Sequence, residues 1–206
     1  MEKIKRLKET AEIEFVEKKS VFIAIAKRVN SEEEAVEMIK QRKKKYADAT
    51  HNVYAYILGD GLVSRYSDDA EPQGTAGMPV LNAIRMSGIT DVCVIVTRYF
   101  GGILLGAGGL VRAYSTSASM ALEKGGIAIY EEYDVIECEC SYSDYQKLQP
   151  ILEHQNVKLD TTEFLENITL KFSIPSEESL TLSKKIQDTF AGRIKLNFVE
   201  KRLDCR

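Results

Sequence analysis

Cysteine and histidine are scarce: four and two in a chain of 206 residues. Cys93, Cys138, Cys140 and Cys205 are spaced for neither a zinc site nor a disulfide framework. That usage fits a reducing, cytoplasmic compartment. Cys138 and Cys140 sit two apart in an alternating run and are expected as buried thiols on one face of a strand. No apolar run approaches the roughly 20 residues of a membrane span. The opening MEKIKRLKETAEIEF lacks the apolar stretch of a secretory signal. No membrane association is expected. No sign of charge dominates, with 28 Lys+Arg against 31 Asp+Glu. This argues against a strongly basic nucleic-acid binder and leaves room only for a local basic face. Repeats and low-complexity segments are absent. What remains is the 44% hydrophobic, 29% charged balance of a globular protein able to bury a core without staples.

The first half mixes strands and helices. A strand is expected from about Ser20 to Val29. A helix follows over NSEEEAVEMIKQRKKKY, capped by Asn30 or Ser31, with glutamates in its first turn and cations in its last. HNVYAYILG and LVSRYS read as a hairpin turning at Gly59-Asp60-Gly61. DDAEPQGTAGMP is a polar loop, VLNAIRMSG a short helix ended by Gly88, and DVCVIVTRYF a strand covered on both faces. GLVRAYSTSASMALEKGG reads as a helix stopped at Gly125-Gly126. The second half runs strand (YDVIECECSY), helix with Ser143 or Asp144 near its cap, two strands turning near Leu165 to Asn167, helix with a capping-box-like start at Ser176 to Ser179, and a last strand (RIKLNFVEK). That β-α-β-β-α-β order is ferredoxin-like. Two domains are expected, 1–130 and 131–206.

The chemistry-bearing stretch is VTRYFGGILLGAGGLVRAYS, with glycine at 101, 102, 106, 108 and 109. Gly101, Gly102, Gly106, Gly108 and Gly109 lie between a strand and a helix, where free N–H groups suit an anion. Neither G-x-x-x-x-G-K-[ST] nor G-x-G-x-x-G is present, so no nucleotide-loop motif is matched. Tight strand-to-helix packing explains the glycines equally well. Arg98 at the strand end could clamp phosphate or pair with Asp68, Asp69 or Glu71 of the polar loop. The two readings are an ion-pair network fastening one loop to another, and a cleft carrying both signs of charge. Tyr99 and Phe100 suit base stacking or, more commonly, the edge of the core. Arg112 leaves the loop, and Lys43 to Lys45 form the most basic local patch. His51 could join Asp68, Asp69 and Glu71 as a general base or in an oxygen-rich metal site, although the spacing demands no metal. No cofactor is called for, and no serine or cysteine has an identifiable base partner.

SDDAEPQGTAGMPVLNAI, then VCVIVTRYFGGILLGAGGLVRAYS, closely resembles the signature of the YigZ/IMPACT family. THNVYAY and KKSVFIA match its earlier strands. The resemblance covers about Lys18 to Leu122. Ala70 stands where the family usually has glycine, and Gln73 where serine is common. The resemblance implies an α+β chain. Its N-terminal part would be a two-layer α/β sandwich like the second domain of a small-subunit ribosomal protein. Its C-terminal part would be a ferredoxin-like domain similar to one of elongation factor G. It also implies a non-enzymatic factor that regulates translation by binding RNA, the ribosome or a translation-related protein. On this expectation the contact surface is Arg98 to Phe100, the glycine loop and Arg112. The alternative is a small-ligand binder or enzyme, with phosphate at the glycine loop and metal or proton transfer at the Asp/Glu/His cluster.

Overall fold

The computed structural model describes residues 3–59 and 61–205. The chain forms two compact units: residues 4–129, and residues 130–205 together with Lys3.

The first unit begins with two strands that the sequence reading did not anticipate, β1 (Ile4–Leu7) and β2 (Ala11–Glu17). Their alternation is diluted by charge, which hid them in an apparently basic opening. β3 (Ser20–Arg28) follows, then α1 (Glu32–Lys45), capped by Ser31, whose Oγ accepts from the Glu34 N–H. β4 (His51–Leu58) and β5 (Val63–Ser67) form the expected hairpin. Asp60 of its turn lies outside the described residues. α2 (Gly77–Ser87) starts three residues before the expected VLNAIRMSG and ends on left-handed Gly88. A short β6 (Ile89–Thr90) pairs in parallel with β1. β7 (Val92–Tyr99) and α3 (Ala107–Gly125) complete the unit.

Five strands form one antiparallel sheet in the order β2-β3-β7-β4-β5. β7 is central, which explains its unbroken apolar run. One face packs on α2 and α3 through Phe22, Val53, Val94, Val96, Leu81, Ile84, Tyr114 and Ala118. That is the expected sheet-and-helix sandwich. α1 adds a layer on the other face, where Ala35 and Ile39 meet Tyr56, Cys93 and Ile95.

The second unit is built from β8 (Ile127–Cys140), α4 (Tyr142–Glu153), β9 (Lys158–Phe164), β10 (Ile168–Pro175), α5 (Ser176–Phe190) and β11 (Leu196–Cys205). Its antiparallel sheet runs β11-β8-β10-β9, the ferredoxin-like order. Leu148, Leu152, Leu182, Ile186 and Phe190 of the helices cover Ile136, Cys138, Leu170 and Phe172. Two expected caps are different. Ser141, not Ser143 or Asp144, caps α4 by accepting from the Asp144 N–H. The capping-box-like start of α5 forms no side-chain cap, because the Ser176 hydroxyl donates to Asp134 instead.

Burial pushes the Cys93 thiol up to about 12. Burial first, then neighbouring Cys140, does the same for Cys138. An unfolded thiol titrates near 9.0. Above that pH the unfolded chain releases protons that the folded chain keeps, so this stabilisation is complete below pH 9 and is lost as pH rises towards about 12. The urea midpoint is therefore expected to fall between pH 8 and pH 10. At pH 8 a thiol reagent should label one site on the native protein, Cys205, and all four after unfolding. Native labelling of Cys93 would contradict the buried assignment.

Candidate functional site

β7 delivers Arg98 into the protein rather than onto its surface. Pairing sets Arg98 across from Phe22 on β3 and His51 on β4, and only 5% of the residue is exposed. Its Nη1 donates to Glu71 Oε1 at 2.6 Å and its Nη2 to Ser20 Oγ at 3.3 Å. The guanidinium lies 5.5 Å from the Phe22 ring centre and 5.6 Å from that of Phe100. Glu71 Oε1 also accepts from the Tyr114 hydroxyl of α3 at 2.7 Å. Burial, then the Glu71 charge, hold the Tyr114 phenol well above its usual range, so it stays a donor. His51 Nε2 stands 3.7 Å from that oxygen, and its Nδ1 is 2.8 Å from the Asp69 carbonyl. A carbonyl can only accept, so the His51 Nδ1 carries a proton and donates it to Asp69.

The remaining acids of the loop are used structurally. Asp68 Oδ1 accepts from the N–H groups of Ala76 and Gly77 at 3.1 and 2.8 Å, and Oδ2 from Gly74 at 2.9 Å. It thus caps α2 from nine residues away. Asp69 accepts from the Asn52 N–H at 2.6 Å and from Lys43 Nζ at 2.5 Å. The three carboxylates face separate partners. Among the described residues no group of three or more His, Cys, Asp or Glu is placed to hold a metal ion. The oxygen-rich metal site considered from the sequence is not assembled, because backbone donors and cations have claimed its ligands.

The glycines of the loop divide by physical cause. At Gly101 an added Cβ would lie 2.0 Å from the Lys19 carbonyl carbon, so packing against the β2–β3 turn demands glycine. Gly102 and Gly106 have φ of +81° and +70°, where glycine is unstrained. At Gly109 an added Cβ would press on Leu105 at 3.1 Å, whereas at Gly108 it would meet nothing within 4 Å. The loop turns Phe100, Ile103 and Leu104 outward, with Leu104 83% exposed. Tyr99 is half-buried and donates to Asp48 at 3.0 Å. Arg112 is exposed and shares a small hollow with Lys18 and Gly109.

A cleft of about 450 Å³ opens here, lined by His51, Glu71, Arg98, Phe100, Leu104 and the Gly106–Ala107 start of α3, among others. The ion-pair network of the first sequence reading forms, and its Arg98 and Glu71 line the cleft with His51, whereas Asp68 and Asp69 do not. Ser20 and Tyr114 were not foreseen as members of that network, nor the Lys18–Lys19 turn as the neighbour of Gly101. Tyr114 gave no signal beyond its helix, and Lys18–Lys19 lacks the usual Asn-Gly hairpin signature. Arg42, in the basic run, is also turned inward. It pairs with Glu12 and donates to Thr97 Oγ1 and the Ile23 carbonyl, both at 3.0 Å.

Breaking the buried pair leaves an uncompensated charge. Glu71→Gln or Arg98→Ala is expected to cost about 3–5 kcal/mol in urea unfolding, and a loss below 1 kcal/mol would mean the pair is not buried in solution. Asp69 and Ala70 have φ of +44° and +68°. Ala70→Gly relieves roughly 1–2 kcal/mol of strain against about 0.5–1 kcal/mol of added unfolded-state entropy. A net gain of up to about 1.5 kcal/mol is expected, and a loss of stability would refute the left-handed assignment.

Comparison with known proteins gives this geometry a family. Residues 18–122 match the Impact N-terminal domain, and residues 138–193 match a domain of unknown function, DUF1949. IMPACT family member YvyE of Bacillus subtilis is 36% identical over 91% of this chain and 87% of its own length. IMPACT family member YigZ of Escherichia coli is 30% identical over 89% of this chain and 91% of its own. A protein solved by crystallography and described as hypothetical superposes with a TM-score of 0.61 at 28% identity, covering 97% of this chain and 98% of its own. The Dictyostelium discoideum Protein IMPACT homolog aligns over 62% of this chain but 36% of its own length. With its N-terminal signature, its second domain and its full-length bacterial relatives all in agreement, the chain belongs to the IMPACT family.

Proposed function

We propose that this protein is a non-enzymatic, translation-associated binding factor whose glycine-loop face contacts RNA, free or within the ribosome. The observation that carries the proposal is the β2–β3 turn. Glu17 pairs with Ser20, leaving Lys18 and Lys19 as a two-residue loop with φ of +45° and +66°. Such a turn favours Asn-Gly, and lysine there costs on the order of 1 kcal/mol per residue. The strained turn holds two exposed cations against Gly101, beside exposed Arg112 and the half-exposed Phe100. Cations that track a phosphate backbone next to an aromatic able to stack are the elements of single-strand binding. Arg98, neutralised by Glu71, serves this surface as a foundation and not as a contact. The family's link to translation supplies the context.

The turn separates function from stability. Lys18→Asn with Lys19→Gly is expected to raise stability by about 1 kcal/mol or more while weakening RNA and ribosome co-sedimentation. Adding Arg112→Ala removes a third cation and should flatten the dependence of log K on log salt by about 2. Unchanged co-sedimentation of the triple variant would refute the assigned face. Retention of a partner after nuclease treatment would instead favour a protein-binding role.

A further inference from the structure

The basic run at the end of α1 is only partly used by the fold. Arg42 is turned inward onto Glu12, and Lys43 pairs with Asp69. Lys44 and Lys45 are exposed, and among the described residues no carboxylate lies within ion-pair distance of either. The helix dipole favours cations at this end, and Arg42 and Lys43 already answer it. Lys45 Nζ lies 4.9 Å from the ring centre of Tyr46, the C-cap residue.

β7 places a further aromatic ring beside this unpaired charge. Successive residues of a strand face opposite sides of the sheet. Arg98 joins Glu71 and Tyr114 on the side of α2 and α3, so Tyr99 stands on the α1 side, across from Val21. Its hydroxyl donates at 3.0 Å to Asp48 in the connection from α1 to β4, which holds the ring half-buried at the sheet end. Two bonds tie that connection to the end of β7. The Thr50 N–H donates to the Arg98 carbonyl at 2.9 Å, and the Phe100 N–H to Thr50 Oγ1 at 3.0 Å. On the other flank the Gly101 N–H donates to Ser20 Oγ at 3.2 Å, next to Lys19. The end of β7 is thus stitched between two lysine pairs, Lys18–Lys19 and Lys44–Lys45. It carries one aromatic ring toward each layer, Phe100 on the cleft side and Tyr99 on the α1 side.

We infer that the RNA-contact face proposed above continues over this end of the sheet to α1, and that its ligand is an unpaired RNA stretch of at least about four nucleotides. The inference rests on that reading and adds to it a second cation pair and a second ring. Lys44 and Lys45 hold phosphates of the segment that lies against Tyr99, as Lys18 and Lys19 hold those beside Phe100. β3, β7 and β4 are neighbours in the sheet. With strands about 4.8 Å apart and the helix layer added, the two lysine pairs are on the order of 20 Å apart. A strand joining them has to turn the corner between two layers. A duplex is too stiff for that, DNA having a persistence length of about 50 nm. An unpaired chain bends at each nucleotide and offers its bases to the rings.

The experiment uses the full chain and fluorescence anisotropy, with a mixed-sequence RNA strand of twelve nucleotides, a trinucleotide cut from it and the corresponding duplex. Three proteins are compared: wild type, Lys18→Asn with Lys19→Gly, and Lys44→Gln with Lys45→Gln. Glutamine is a good helix former and no ion pair is lost, so the last variant should melt within about 3 °C of wild type. It should bind the long strand roughly tenfold more weakly at about 0.1 M salt and flatten the dependence of log K on log salt by about 1.4, two contacts at the single-strand slope. Its trinucleotide binding should fall at most about twofold, since the other lysine pair still serves so short a ligand. Wild type should bind the duplex more weakly than the single strand. Long-strand affinity and salt slope unchanged in the Lys44/Lys45 variant, with a loss in the Lys18/Lys19 variant, overturns the continuation to α1 and leaves the surface role standing. An equal loss for trinucleotide and long strand, or a duplex bound as tightly as the single strand, also overturns the continuation. No binding of any RNA by wild type overturns the surface role, and the continuation falls with it.

Discussion

One carboxylate oxygen, Glu71 Oε1, ties four parts of the N-terminal unit together. It takes a charge-assisted hydrogen bond from Arg98 at the end of β7, another from Tyr114 on α3, stands close to His51 on β4, and itself belongs to the polar loop before α2. In a buried setting such an arrangement tolerates no partial version, because removing either charge leaves the other desolvated. The loop is thereby obliged to return to the same place, and with it Asp68, whose carboxylate completes the start of α2. The left-handed Asp69 and Ala70 are the local strain that this anchoring imposes.

The cleft inherits its rigidity from that pair. Its floor is an ion pair, its histidine is held by a main-chain carbonyl, and its rim is a loop pinned by Gly101 on the neighbouring turn. A loop fixed at one end by packing and at the other by a long helix can hold Phe100, Ile103 and Leu104 in solvent without collapsing onto them. Exposed apolar side chains on a rigid frame mark a contact surface more than a mobile one does, since little conformational freedom remains to be lost on binding.

Much of the architecture was legible along the chain. Alternation and end signals located β3, α1, the β4–β5 hairpin, β7, α3 and the whole ferredoxin-like order, because those segments bury a full face or stripe. β1 and β2 were not legible, since charge interrupts their alternation, β1 pairs with the distant β6, and the β2–β3 turn lacks the usual hairpin residues. The cap at Ser141 and the missing cap at Ser176 depended on which partner each hydroxyl meets in the fold, the Asp144 N–H for one and the Asp134 carboxylate for the other. At the site, the residues Arg98, Glu71, His51 and the glycines stood out by type. Their roles did not, because an arginine at a strand end points inward or outward according to the partner waiting there.

By itself the sequence determined the family and most of the element types, which follow from local periodicity and a distinctive glycine motif. Only the tertiary structure decided which charges are spent. It turned Arg98 and Arg42 into the protein, dispersed Asp68, Asp69 and Glu71 among separate partners, and left Lys18, Lys19 and Arg112 outside. The partners that hold Arg42 and Arg98 lie 19 to 78 positions away along the chain, and they come within reach only once the sheet has set its register.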